Sequence, residues 1–253
     1  MDSDLRTARD TIVDVLGLVS EPVGIGFVRR GENPPEGHAV PPGRRYCQAL
    51  MEARRGARVL LTPGNTSCPA AAAAFGFRPL PPKLASGEML VAFGIFGSLE
   101  AGKATVDSMQ RLPMGEYAAV ALGPMAEVGF EPDVVVVEGT VEQAMWIALA
   151  ARYQVGGRAA FTTAILQATC EDATLVPFLT GKLNATLGCY GCRDATDMGT
   201  EETVIGFPRA LLAAVTDGLR ALGDRAMPTV RSKRAYCSLS DGLSCGTREA
   251  GGE

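Results

Sequence analysis

Seven cysteines and one histidine are the residues of this 253-residue chain whose types most directly suggest chemistry. The single histidine, His38, argues against histidine-rich zinc sites, haem ligation and Ser-His-Asp catalysis. Any metal site would therefore be built mostly from thiolates. His38 lies in a segment rich in proline and glycine, and we expect it to be an ordinary loop residue rather than a ligand or a catalytic base.

The spacing of the cysteines separates one close pair from several single residues. Cys189 and Cys192 have the C-x2-C spacing of a ligand pair, whereas Cys47, Cys68 and Cys170 stand alone. A structural zinc site usually takes its ligands in two such close pairs, so the pattern fits zinc poorly. An iron–sulfur cluster tolerates long separations when the fold brings the thiolates together in space. The sequence therefore predicts a [4Fe–4S] cluster.

Four cysteines form two pairs with nearly equal spacing, and we predict that these four hold the cluster. Cys47 and Cys68 lie 21 residues apart, and Cys170 and Cys189 lie 19 residues apart. Cys68 and Cys170 fall near the predicted N-termini of helices, where backbone N–H groups and the helix dipole favour a thiolate or an anionic cluster. Three alternatives remain open: a thiolate zinc site, thiol or disulfide chemistry at Cys189 and Cys192, and buried free cysteines without metal.

Charged residues beside the cysteines provide candidate substrate contacts. Arg193, next to Cys192, can bind a carboxylate or a phosphate through two hydrogen bonds, although a surface arginine in an ion pair is an equally good interpretation. Glu171 and Asp172 directly follow Cys170. We expect them to stabilise the first turn of a helix by their charge rather than to act as acid–base groups. We take Arg193 and Cys192 as the candidate catalytic residues and a small anionic molecule as the expected substrate.

Composition and charge limit the class of protein. Hydrophobic residues make up 47% and charged residues 21% of the chain, which is typical of a globular protein with a substantial core rather than a disordered one. The formal net charge of −4 argues against a general nucleic-acid binder. The apolar stretches fall short of the roughly 18 residues of a membrane span, and the N-terminus lacks the pattern of a signal peptide. We expect a cytoplasmic protein with no nucleic-acid or membrane partner.

Strand-like and helical segments alternate along most of the chain, which is typical of an α/β fold. Apolar runs bounded by turn residues predict strands at 23–28, 58–62, 88–95, 117–122 and 132–138. Helical periodicity and capping residues predict helices at 4–19, 47–55, 68–75, 98–109 and 140–153. Ser98 and Thr140 are the expected N-caps of the last two helices, and Pro69 occupies a tolerated position in the first turn of its helix.

The two halves of the chain contain similar short segments and similarly spaced cysteines. Residues 21–25 (EPVGI) resemble residues 131–135 (EPDVV), and residues 88–93 resemble residues 202–207. The cysteine pairs repeat at offsets of 123 and 121 residues. We therefore predict an internal duplication, in which a pseudo-two-fold axis would bring the four matched cysteines together. The predicted organisation is two pseudo-symmetric α/β halves packed into one compact unit, followed by a C-terminal extension: 1–115, 116–227 and 228–253.

Four short motifs point to a known family: RYCQAL at 45–50, TSCP at 66–69, EPDVV at 131–135 and LGCYGCR at 187–193. Together they resemble the domain of unknown function 169 family, a group of archaeal cysteine-rich proteins that is also found in bacteria. The resemblance covers about residues 5–222 and implies a metal or iron–sulfur site but no particular reaction. The site positions that it implies are Cys47, Cys68, Cys170, Cys189, Cys192 and Arg193. Cys237 and Cys245 lie outside it.

The interpretation that best joins these observations is an iron–sulfur enzyme, of redox or lyase type, that acts on a small anionic molecule at or beside the cluster. Four cysteine ligands would close the cluster, whereas three would leave one iron open as a Lewis acid. A redox partner protein is expected if the cluster transfers electrons. The alternatives are a non-catalytic cluster or metal protein, such as an electron carrier, a sensor or a metal-handling protein, and a metal-free thiol protein.

Overall fold

Six strands form one antiparallel sheet in the computed structural model, which describes residues 2–233 and 235–236. The strands are β1 (Val23–Arg29), β2 (Val59–Leu61), β3 (Tyr117–Pro124), β4 (Val134–Thr140), β5 (Asn184–Thr186) and β6 (Glu202–Pro208). Their order across the sheet is β2-β3-β1-β4-β6-β5, and every neighbouring pair is antiparallel. The fold is therefore mixed α/β. The strands of its sheet come from most of the described chain, between residues 23 and 208.

Helices connect and cover the strands. The α-helices are α1 (Asp2–Leu16), α2 (Tyr46–Ala53), α3 (Pro69–Ala74), α4 (Pro82–Ala85), α5 (Glu88–Ala92), α6 (Leu99–Ser108), α7 (Val141–Ala150), α8 (Val176–Thr180), α9 (Tyr190–Ala195), α10 (Leu212–Asp224) and α11 (Ala226–Arg231). A π-helix spans Ala168–Leu175, and a short 3-10 helix spans Arg209–Leu211.

The central strand β4 shows how the layers are arranged, because its side chains are buried on both faces of the sheet. Val134 and Val136 point into a core that they share with α2, α3, the π-helix and α9. Val135 and Val137 point into a second core, which is closed by α1, α7 and α10. An uninterrupted run of valines suits such a strand, since neither face meets water. All the described cysteines belong to the first of these layers.

Most of the predicted elements are confirmed, with ends that differ by a few residues. Ser98 caps α6 by accepting a hydrogen bond from the backbone N–H of Ala101 at 3.2 Å. Thr140 caps α7 in the same way, and Gln143 reaches back to the N–H of Thr140. These caps satisfy backbone donors that have no partner inside the helix, which is why their residue types could be identified from the sequence.

The predicted strand at 88–95 is wrong, because residues 88–92 form helix α5. Gly87 follows α4 and is the N-cap residue of α5. Its φ of +80° is readily adopted by glycine, so α5 can begin at the next residue. Leu90 then packs into a small apolar cluster with residues of α4 and α6. Short apolar runs fit either type of element, and here the neighbouring helices decide. The similarity of 88–93 to the strand β6 therefore does not reflect equivalent structure.

Within residues 2–233 and 235–236, none of the helices combines the length and apolar character needed to cross a membrane. Part of the predicted C-terminal extension, residues 234 and 237–253, lies outside the described residues, and so do Cys237 and Cys245.

Candidate functional site

The five described cysteines line one cavity of about 430 Å³. They come from four separate places in the fold and are all free thiols: Cys47 on α2, Cys68 before α3, Cys170 on the π-helix, Cys189 before α9 and Cys192 on α9. Four of them are buried, and Cys68 is partly exposed. Residues that are far apart in the sequence are thus gathered at one point between the sheet and the helices.

The helix that carries Cys47 is held against the π-helix by a buried hydrogen bond. Tyr46 lies 1% exposed at the start of α2, and its hydroxyl is 2.8 Å from the hydroxyl of Thr174. Burial raises the pKa of Tyr46, so the phenol stays neutral and the hydrogen bond persists at ordinary pH. This contact fixes the distance between the elements that bear Cys47 and Cys170.

Two short helices begin at cysteines. Cys68 is the N-cap residue of α3, and Pro69 takes the first helical position, where its missing N–H costs nothing. Cys189 is the N-cap residue of α9, and its sulfur accepts a hydrogen bond from the backbone N–H of Cys192 at 3.3 Å. The C-x2-C spacing therefore places both thiols of α9 in the same turn.

The chain reaches Cys170 through a strained segment. Ile165 and Gln167 have φ values of 59° and 55°, in the left-handed region that β-branched and long side chains rarely adopt. Leu166, between them, contributes to the cavity wall. The π-helix that follows is itself an uncommon element that is often found at functional sites. Such strain persists only where the surrounding structure holds it in place.

A buried polar network provides that support. The carboxylate of Asp172 accepts hydrogen bonds from the hydroxyls of Thr163 and Thr186, at 2.6 and 2.9 Å. The side-chain amide of Asn184 donates to the backbone carbonyls of Thr162 and Asp172, both at 2.8 Å. These bonds tie the residues before the strained segment to the π-helix and to β5.

The sulfur atoms of three cysteines are in contact, and the thiols whose pKa values are raised are protonated. The thiol of Cys189 lies 3.0 Å from the sulfur of Cys192, which also contacts Cys47 and the hydroxyl of Thr169. The hydrogen bond to Cys192, followed by burial, raises the pKa of Cys189. Burial, followed by the proximity of Cys68, raises the pKa of Cys170. These thiols are neutral at pH 7 unless a metal ion displaces their protons.

The pKa of Cys192 reflects competing contacts. The hydrogen bond with Cys189 lowers it, whereas the hydrogen bond with Cys47 and burial raise it, and the net result is a pKa of about 11. Cys192 is therefore a protonated thiol with the sulfur atoms of Cys189 and Cys47 as neighbours.

Thiols are the ligands that iron–sulfur clusters and other soft metals take, so the donor types around this cavity fit such a group. The positions of these side chains do not form a complete metal site, however. Within the described part of the chain, no three Cys, His, Asp or Glu side chains are placed so that they could hold a metal ion as they stand.

The opposite side of the cavity is apolar. Helices α4 to α6 and the strained segment supply a wall of buried side chains: Leu84, Leu90, Val106, Met109 and Leu166. Phe93 and Tyr190, 58% and 55% exposed, also line the cavity, and their rings stack with centroids 6.4 Å apart. The two aromatic rings bring the helical wall and the cysteine-bearing α9 into contact.

Comparison with known proteins identifies the family of the chain. The family model described as "Uncharacterised ArCR", domain of unknown function 169, matches residues 11–218. The chain belongs to the domain of unknown function 169 family. An uncharacterized protein of Methanocaldococcus jannaschii is similar to it, with 30% identity over 220 residues that cover 86% of this chain and 94% of the relative. No solved structure matches the chain.

In this member of the domain of unknown function 169 family, Arg193 is placed differently from its neighbour Cys192. Its guanidinium donates hydrogen bonds to the backbone carbonyls of Gly199, Leu187 and Glu202, at 2.7, 2.8 and 3.1 Å. It lies outside the lining that the described residues form. Arg193 thus braces the segment around Cys189, and the arginine that lines the cavity is Arg45.

The acidic residues after Cys170 are buried, and Glu171 lies in the first turn of the π-helix, as predicted. Glu171 accepts a hydrogen bond from the N–H of Gln110 at 3.0 Å. Burial, with a further contribution from Asp172, raises the pKa of Glu171 to about 7. Neither residue belongs to the cavity lining of the described chain. His38 lies against the ring of Phe130, away from the cavity, as expected for a loop residue.

One polar residue of this family member's site, Gln167, was not predicted from the sequence. Gln167 lines the cavity, is 9% exposed, and its side-chain oxygen has no hydrogen-bond partner among the described residues. A glutamine before a cysteine-bearing helix gives no signal by itself. Its backbone conformation and burial are set by the surrounding fold.

Proposed function

We propose that this protein binds a [4Fe–4S] cluster through Cys47, Cys68, Cys170 and Cys189 and acts as an enzyme, of redox or lyase type, at the adjoining cavity. The observation that carries the proposal is that five thiols, spread from residue 47 to residue 192, line a single cavity. Buried cysteines without a task are common individually, but five in one lining would be an unusual coincidence.

The fifth thiol has a distinct part in this proposal. A cluster, when bound, supplies an electron or, if one iron lacks a protein ligand, a Lewis acid. Cys192, a buried thiol in contact with Cys189, would lie beside the ligands and could supply a proton to a substrate in the cavity. Arg193 would act by positioning Cys189 through the carbonyls that it binds.

Open volume next to the thiols favours an enzyme over an electron carrier. A protein that only transfers electrons needs a cluster near its surface, whereas the cavity here is of the size of small-molecule sites, which span roughly 300–1,000 Å³. The predicted small anionic substrate rested on Arg193, which lies outside the lining.

The predicted internal duplication remains part of the proposal, and the order of the strands supports it. From one edge to the centre the sheet has β2, β3 and β1, and from the other edge it has β5, β6 and β4. β1 and β4 meet as an antiparallel pair, as a two-fold axis through the centre would require. On this proposal the halves join after β3 rather than at the predicted boundary of 115 and 116.

The cysteines follow the same proposed symmetry. Cys47 lies between β1 and β2 and Cys170 between β4 and β5, each near the start of a helix. Cys68 and Cys189 are the N-cap residues that follow β2 and β5. Superposition of the two halves in an experimental structure tests the duplication. If Cys47 and Cys68 failed to coincide with Cys170 and Cys189, the duplication would be rejected.

One observation favours a second candidate, a metal-free dithiol protein. The sulfurs of Cys189 and Cys192 are 3.0 Å apart, so a small movement would allow them to form a disulfide. Either function needs reduced thiols, and a reducing compartment keeps thiols in that state. The predicted cytoplasmic location therefore remains part of the proposal.

The test is a measurement of iron, acid-labile sulfide and zinc in protein purified without oxygen. We expect about four iron and four sulfide per chain, and a loss of both in Cys47→Ser, Cys68→Ser, Cys170→Ser and Cys189→Ser. Cys245→Ser, the same chemical change outside the described residues, is the matched control and should keep the full content. Stoichiometric zinc, or no metal together with a Cys189–Cys192 disulfide after mild oxidation, would replace the cluster by the corresponding alternative.

A further inference from the structure

We propose that the cavity beside the cysteines binds a neutral, largely apolar molecule that donates a hydrogen bond to Gln167. This inference deepens the proposed function by naming the class of ligand, and it rests on that function only for the reaction. Binding itself requires the apolar wall and Gln167, not the metal. The predicted small anionic substrate is the competing class.

The wall of the cavity favours an apolar ligand. Leu84, Leu90, Val106 and Met109 present carbon atoms to the cavity from three short helices. An apolar molecule seated against them removes its own surface from water and gains about 25 cal/mol for each square ångström buried. A ligand dominated by charged groups would meet this wall without any hydrogen-bond partner.

The charges of the lining do not favour an anion. Among the described residues that line the cavity, Arg45 is the one cation and Asp194 the one carboxylate. Arg45 and Asp194 lie within 4.0 Å of each other and are both substantially exposed. Their charges largely cancel, so a bound anion would have to compete with Asp194 for Arg45 while losing its own hydration.

Gln167 provides the specific polar contact. Its side-chain oxygen is buried without a hydrogen-bond partner in the described structure, and an unpaired buried acceptor is costly. The cost is recovered when the side chain turns so that a ligand in the cavity supplies the donor. Gln167 belongs to the cavity lining, and its left-handed backbone is part of the strained segment. An otherwise unexplained polar group in an apolar lining is the arrangement that orients small molecules in their sites.

The rim suits a flat molecule. Phe93 and Tyr190 stack at an interplanar angle of 20° and remain more than half exposed. Aromatic faces gain most from contact with other flat, apolar groups. An aromatic or conjugated molecule with one hydroxyl or N–H group therefore suits the apolar wall, Gln167 and the aromatic rim.

Three probes of the same shape test the inference by calorimetry: 2-naphthol, naphthalene and 2-naphthoate. We expect 2-naphthol to bind most tightly. Naphthalene, which cannot donate to Gln167, should bind about three- to tenfold more weakly, as expected for one neutral hydrogen bond. The anion 2-naphthoate should bind more weakly than 2-naphthol. Tighter binding of 2-naphthoate would overturn the inference in favour of an anionic ligand, and binding of none of the probes would also overturn it.

Two substitutions locate the binding. Gln167→Met keeps the length of the side chain but removes the acceptor, so 2-naphthol should lose its advantage while naphthalene is unaffected. Ala70→Leu adds volume from α3 into the cavity and should weaken 2-naphthol at least about tenfold, as expected when steric overlap displaces a ligand. Ala214→Leu, on the exposed face of α10, is the matched control and should leave affinity unchanged.

The outcomes separate this inference from the proposed function. Equal loss of 2-naphthol affinity in Ala70→Leu and Ala214→Leu would place the probe outside the cavity and reject the inference. Iron and sulfide are measured on the same samples. Probe binding at the cavity without iron would remove the cluster but keep the ligand class, whereas iron with no probe binding would keep the cluster and remove the ligand class.

Discussion

The stability of the protein should fall as the pH rises from about 5 to 8, and Glu138 should account for a defined part of the fall. Glu138 lies on β4, is 5% exposed, and forms an ion pair with Arg54 at 3.3 Å. Arg54 also pairs with Asp197 and Glu202, both at 3.4 Å. This group ties the end of α2, which carries Cys47, to the sheet and to the segment after α9.

The magnitude follows from the pKa of Glu138. Burial raises it from the ordinary value of 4.5 to about 7, even though Arg54 acts in the opposite direction. The folded protein therefore holds a proton that the unfolded chain has lost between these two pH values. The contribution of Glu138 to stability is fully present below pH 4.5 and is lost as the pH rises to 7. At about 1.4 kcal/mol per pH unit, the loss is about 3 kcal/mol.

Urea unfolding followed by circular dichroism across pH 5–8 measures this loss. Glu138→Gln cannot ionise, so its free energy of unfolding should gain about 3 kcal/mol relative to the unsubstituted protein as the pH rises. Glu171, whose pKa is also raised to about 7 by burial, contributes with the same sign in both proteins and cancels. Glu36→Gln removes the same charge from an exposed position, and its difference from the unsubstituted protein should stay constant. Parallel profiles for Glu138→Gln and the unsubstituted protein would refute the argument.

Three further predictions concern packing, capping and the bracing arginine. Gly206→Ala would place a methyl group against the backbone carbonyl of Ala173 and should lower the free energy of unfolding by about 3 kcal/mol or more in urea unfolding. Gly64→Ala, where there is room for the methyl group, is the control and should change this free energy little. Thr140→Ala removes the N-cap of α7 and should cost about 1 kcal/mol in the same assay. If the proposed function is correct, Arg193→Ala should lower cluster content and turnover together, since the residue positions Cys189; lost turnover with full cluster content would instead mean that it binds substrate.

Local signals in the sequence were sufficient for most of the elements. The valines of β4 predict a strand buried on both faces, and Thr140 predicts the start of α7, because backbone capping and burial depend on nearby residues. Residues 88–95 show where local signals fail. Their apolar run suits a strand or a helix equally, and the packing of Leu90 against the neighbouring helices decides for a helix.

For the site, the residue types alone indicate where chemistry is possible: the chain has seven cysteines, four of them in two pairs with nearly equal spacing, and a single histidine. What surrounds these residues depends on the tertiary structure. The cavity is a space between elements distant in the chain, so its apolar wall has no sequence pattern of its own. The left-handed backbone at Ile165 and Gln167 is unfavourable locally and exists because contacts from elsewhere hold it. Arg193 is adjacent to Cys192 in the sequence, but its side chain binds backbone carbonyls instead of lining the cavity. The direction of a side chain depends on the fold and not on its distance along the chain from a site residue.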